Sequence, residues 1–127
     1  MRSVIIVTEN PLDLNKLADI YRTSGLVDLQ SPERLVVKGS WGWFAFNREP
    51  NLEEEYDEFE LEKLKQKMSR ATFVQLEFSD SRAANIAVLL LPDNDKIMID
   101  NDHGLIAPIG DVQRRIQNAE DWTSASH

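Results

Sequence analysis

The sequence predicts a single α+β domain, a mainly antiparallel sheet with helices packed on it. Two observations predict this class. Short β-branched or alternating apolar segments recur between turn residues, as antiparallel strands do, and segments with helical spacing fall among them rather than in one block. At 127 residues, 42% of them apolar, the chain lies in the size range of one domain and can fill a core. The expected order is β-α-β-β-β-α-β-α-β-α over residues 1–117, followed by a flexible tail at 118–127.

Val4-Ile5-Ile6-Val7 is a continuous β-branched run, as a strand buried on both faces would be. Asn10 and Pro11 then offer an N-cap and a proline at the first helical position. Leu14, Leu17, Ala18 and Tyr21 keep the i, i+3, i+4, i+7 spacing of one buried helix face, and Gly25 sits where a left-handed cap would end a helix near Ser24. Leu26 to Leu29, Leu35 to Lys38 and Trp41 to Phe46 are expected to be short antiparallel strands, separated by Ser31-Pro32-Glu33 and Gly39-Ser40. In the last of them Trp41, Trp43 and Ala45 should face one side and Phe44 and Phe46 the other. Both faces then want cover, as in a central or an interface strand. Trp41 and Trp43 could form a stacking platform for a ligand, but strand aromatics more often build core, which is the expectation.

The stretch from Leu52 to Arg70 is rich in helix formers without one apolar stripe. Leu52, Tyr56 and Phe59 cluster on one side, whereas Leu61, Leu64 and Met68 fall nearly opposite. Either the helix begins only near Asp57, or its halves touch different neighbours and leave Tyr56 and Phe59 outward as anchors for a partner. Phe73 to Phe78 alternates, with Val74, Leu76 and Phe78 inward, as a strand with one wet face does. Ser79 to Leu91 is expected to be a helix capped at Ser79 or Asp80 and stopped by Pro92; a hairpin with Ile86 to Leu91 as a strand is the alternative. Asp93-Asn94-Asp95 should turn the chain into a strand from Lys96 to Asp100. Asp102-His103-Gly104 should turn it again, and Pro108 with Asp111 should open a last helix through Gln117. Asn118 to His127 lacks periodicity and is expected to fray.

Composition removes several function classes. The 22 acidic and 14 basic side chains give a formal net charge of −8, which opposes binding to a phosphate backbone, so nucleic acid is not an expected partner. With no cysteine there is no disulfide framework and no thiolate chemistry. That suits a reducing cytoplasm, the expected location. The longest early apolar run, Val4 to Val7, is far too short for a signal-peptide core or a membrane span.

The strongest local feature is an acidic block between Glu49 and Glu62. Glu49, Glu53, Glu54, Glu55, Asp57, Glu58, Glu60 and Glu62 are interrupted by the aromatics Tyr56 and Phe59 and by no basic residue. A charge run is often only a solvated face that keeps a protein soluble. A field of one sign also attracts and orients a cationic partner, and on that reading Glu53, Glu54, Tyr56, Asp57, Glu58, Phe59 and Glu62 form the partner-binding surface.

Asp93, Asp95, Asp100, Asp102 and His103 crowd two turns and could in principle hold a hard divalent cation. Counted from Asp93, however, the fifth, sixth and twelfth positions of a calcium loop are Ile97, Met98 and Gly104. The spacing fails, and turn formation is the expected role, with no metal and no cofactor. A histidine-dependent base would have to be His103, with Asp100 or Asp102 orienting it and Ser40, Ser79 or Ser81 brought near as nucleophile. No nucleophile elbow, phosphate-cradling loop or helix-borne zinc motif occurs, and the chain is not expected to be an enzyme.

A small, cysteine-free, acidic α+β chain whose final third runs strand, Asp100-Asn101-Asp102-His103-Gly104-Leu105-Ile106, then short helix resembles bacterial immunity proteins that neutralise polymorphic or contact-dependent toxins. The resemblance is to a functional class that contains many unrelated folds and carries over no binding residues. It implies a cognate toxin as partner, commonly a basic nuclease, occluded by an acidic surface. An adaptor or chaperone-like subunit of another complex is the alternative class, and a small-molecule-binding domain or enzyme is a third.

Overall fold

The computed structural model describes residues 2–49, 51–92 and 96–124. Within them the chain is an α+β domain built on a seven-stranded sheet whose neighbours all pair antiparallel. The strands are β1 (Arg2–Thr8), β2 (Leu26–Ser31), β3 (Arg34–Gly39), β4 (Gly42–Asn47), β5 (Thr72–Phe78), β6 (Ile97–Asp100) and β7 (Ile106–Pro108), in the order β2-β3-β4-β5-β1-β6-β7. The helices are α1 (Leu14–Tyr21), α2 (Glu58–Lys67), α3 (Ser81–Leu89) and α4 (Ile109–Gln117), with a 3-10 turn at Leu52–Glu55. The expected order therefore holds, with β7 and the 3-10 turn added. Both extra elements are too short to give a periodic signal.

β1 sits inside the sheet, paired with β5 and β6, because Val4 to Val7 are buried on both faces. Val4 and Ile6 enter the larger core with α1, α3 and α4, whereas Ile5 and Val7 enter a smaller one with Leu52, Tyr56, Leu64, Met68 and Met98. Each of these four side chains stabilises the fold by roughly 1.5–3 kcal/mol on full burial. β6 splits the same way, Ile97 and Ile99 against Met98, and β5 keeps Val74, Leu76 and Phe78 inward as its alternation requires. Helix α3 replaces the hairpin alternative: Asp80 caps it by accepting from the Ala83 amide, and Ala83, Ala84, Ala87 and Val88 form its buried stripe.

The structure corrects several local expectations. α1 starts at Leu14, not Pro11, because the Asp13 side chain takes the amides of Asn15 and Lys16, while Asn10 uses its carbonyl to accept from the Thr8 hydroxyl. Gly25 adopts no left-handed cap. It is glycine because a β-carbon there would collide with the Lys38 carbonyl oxygen across the β2-β3 pair. Trp41 lies in the hairpin turn before β4, where Gly42 at φ 119° breaks the alternation. Its ring therefore stacks on Phe44 at 5.3 Å rather than siding with Trp43, and its Nε1 donates to the Ser24 carbonyl. The Asp93-Asn94-Asp95 turn lies outside the described residues.

Among the described residues beyond Gln117, 118–124, there is no regular structure, yet this segment is anchored rather than frayed. Trp122 is only 1% exposed in the larger core, its Nε1 donates to Asn85 Oδ1, and its carbonyl accepts from Asn101 Nδ2. Packing thus continues past the expected boundary at 117, because one large side chain stabilises a seven-residue stretch that no periodicity marks. Thr123 and Ser124 bind the Asp121 carboxylate, whose pKa is lowered chiefly by the Ser124 hydroxyl.

Two predictions follow from this packing. Trp122→Ala removes a buried indole and leaves Asn85 without its donor, and should cost about 3–5 kcal/mol in urea unfolding; a change within about 0.5 kcal/mol would show that the segment is not part of the core. Glu9 accepts from the Ser69 amide and hydroxyl and pairs with Lys96 at 2.9 Å. Its carboxyl is held at about 2, mainly by Lys96 and then Ser69, against an ordinary value of 4.5. A lowered folded-state value stabilises above the unfolded value, so the advantage over Glu9→Gln should be full above 4.5 and vanish as pH falls through about 2. Thermal melts across that range measure it, and a gap independent of pH would contradict it.

Candidate functional site

Two features distant in the sequence, the acidic block and the Asp100 to Ile106 turn, meet on the smaller core. The 3-10 turn ends at Tyr56, whose backbone is extended (φ −99°, ψ 138°), and Asp57 then caps α2. Asp57 Oδ1 accepts from the Glu60 amide at 2.7 Å and Glu60 Oε1 accepts from the Asp57 amide at 3.2 Å, a reciprocal capping box. Of the two readings of this stretch, the helix that begins only near Asp57 is the one observed. The kink turns Tyr56 inward: its ring lies 5.1 Å from Phe73, and its hydroxyl donates to Asp100 Oδ2 at 2.6 Å. Tyr56 is therefore a buried strut and not part of an exposed partner surface.

Asp100 is 8% exposed, and its other carboxylate oxygen accepts from the Asp102 amide. Asn101, buried beside it, takes the amides of His103 and Leu105 on Oδ1. Those bonds hold a turn with Asp102 at φ 61° and Gly104 at φ 98°, left-handed conformations suited to aspartate and glycine. The Asp100 and Asn101 side chains thus shape the turn by accepting from its backbone amides. Burial, first, and the Asp100 carboxylate, second, push the Tyr56 hydroxyl well above the usual tyrosine range.

Between α2 and this turn lies a cleft of about 390 Å³, lined by Phe59, Lys63, Leu64, Met98, Asp102 and Ile106 among others. His103 is exposed and does not line it. Of the serine candidates, Ser79 Oγ accepts from the Trp43 amide and Ser81 Oγ from the Arg2 guanidinium. At the lip of the cleft, Phe59 is 68% exposed, with the Lys63 ammonium 4.6 Å from its ring centre.

The remaining partner-surface candidates are spread over two short elements. Glu53 and Glu54 lie on the 3-10 turn, Asp57 at the cap, and Glu58 and Glu62 on α2, all exposed. Glu53 also borders a second cavity of about 570 Å³, shared with Leu12, Arg48 and Phe73. The Tyr56 to Asp100 bond spans 44 residues and has no local sequence signal. The Phe59 and Lys63 pair could have been found from its i, i+4 spacing. Comparison with models of protein families, with curated proteins and with solved structures gives no match.

The strut gives two measurable expectations. Tyr56→Phe removes a donor from a buried carboxylate and should destabilise by about 1–3 kcal/mol. Tyr21, buried with its hydroxyl on the Ala87 carbonyl, is raised as well, so neither of the two tyrosines should ionise in the folded protein near 10. Because the folded-state values are raised, stability should fall as pH rises above about 10, and phenolate absorbance should appear only with unfolding. Ionisation of one tyrosine at its ordinary value in the folded state would contradict the buried bond.

Proposed function

We propose that this protein is an immunity protein that binds a cognate bacterial toxin domain and neutralises it by occlusion, using the acidic face of the 3-10 turn and α2. The observation that carries this reading is the 68% exposed Phe59, set among the exposed carboxylates of Glu58 and Glu62 and close in the chain to Glu53 and Glu54. An exposed aromatic anchor beside several carboxylates, with the Lys63 ammonium against its ring, is how a protein surface combines a hot spot with electrostatic steering. The partner is a basic protein domain; nucleic acid is disfavoured by the net charge of −8. The site acts by covering its partner and uses no cofactor.

Asp57 is unsuitable for testing this reading, because its reversal would break the α2 cap at a cost of about 1 kcal/mol. Glu53, Glu54, Glu58 and Glu62 are exposed and free of that role. Replacing these four with Lys should slow association with the toxin domain captured from the native host at least about tenfold at low salt, the difference shrinking as salt rises. Phe59→Ala should mainly speed dissociation, by roughly 2 kcal/mol or more. Unchanged association and dissociation in both folded variants would refute this surface. The second reading, a small-molecule site, draws on the cleft beside α2 and predicts a ligand-dependent rise in melting temperature.

A further inference from the structure

The two edges of the sheet differ in how they are protected. β7 has only three residues and runs through Pro108 straight into α4, two devices that blunt an edge. β2 has six residues, with no proline and no lysine. Its one irregularity is a bulge between Leu29 and Ser31, which leaves Leu26 to Leu29 regularly paired with β3. Apolar side chains flank this edge on both faces of the sheet. Leu26, 79% exposed, stands opposite Lys38 on the face away from α1, while Leu29 and the α1 residue Ile20 are exposed on the helix-covered side.

Charge identifies the occupant. Residues 19–38 contain Asp19, Asp28 and Glu33 against Arg22, Arg34 and Lys38, three of each sign and a net of zero, in a chain of net −8. The acidic layer packs instead over β1, β5 and β6. Three strand spacings separate β5 from β2, roughly 14 Å, more than a Debye length in physiological salt. The β2 edge is therefore where two copies meet without their acidic layers facing. From the open edge, the two-sided apolar flank and the local neutrality, we infer that β2 pairs antiparallel with β2 of a second copy, extending the sheet across a two-fold axis.

Sedimentation velocity on the full chain tests this. A reversible dimer with a dissociation constant on the order of 100 µM or tighter is expected. Added salt should strengthen it or leave it unchanged, because screening relieves repulsion between two acidic molecules. Leu26→Lys, which leaves the core untouched, should weaken the dimer at least about tenfold, and Leu29→Lys should act in the same direction. β2 amides should become slower to exchange as concentration rises. A monomer at every concentration up to about 1 mM would overturn the inference. So would a dimer that survives both substitutions with the fold intact, or an edge that pairs only with a different protein.

Discussion

Everything else in this fold follows from β1 being buried on both faces. Four consecutive apolar residues, Val4 to Val7, leave no wet side, so the strand must lie inside a sheet with cover above and below. The larger cover is α1, α3 and α4; the smaller is the 3-10 turn and α2. That second layer is small, and it rests on Leu52, Leu64, Met68 and the Tyr56 to Asp100 bond. Removing the hydroxyl would leave a buried carboxylate short of a donor, so the apolar packing and the polar bond support each other.

The asymmetry bears on the proposed function. A charge-dense segment repels itself, and such a segment is tolerable where it seals only a limited apolar area and keeps its carboxylates in water. α2 does both. Its buried residue is Leu64, while Glu58 and Glu62 remain solvated and the capping box supplies the helix start that the repulsion opposes. An acidic surface on a secondary layer can be altered without dismantling the main core, as the proposed docking role requires.

Much of the fold was legible in the sequence, because β-branched runs, helical stripes and turn residues report directly on burial. β1, α1, β5, α3, β6 and α4 all follow from such patterns. The failures share one cause: local signals do not say which of several equivalent partners is used. Asn10 and Asp13 are both capping types, and Asp13 wins by geometry. Gly25 is explained by the approach of the Lys38 carbonyl, an atom on another strand. Trp122 carries no periodicity, yet its hydrogen bonds to Asn85 and Asn101 dock the chain end. At the candidate site the acidic block was plain, and Phe59 emerged as its exposed aromatic. The inward turn of Tyr56 was not readable, since its partner Asp100 lies far along the chain.

The central claim, that two layers of unequal strength cover a doubly buried strand, is open to one direct measurement. Native-state hydrogen exchange under increasing denaturant resolves the free energy of opening of each element. The amides of Ile5 to Val7 in β1 should exchange only with global unfolding, whereas those in the last two turns of α2 should exchange through a smaller opening that exposes less surface. If α2 and β1 instead share one opening free energy and one denaturant dependence, the second layer is not separable, and the account of this fold is wrong.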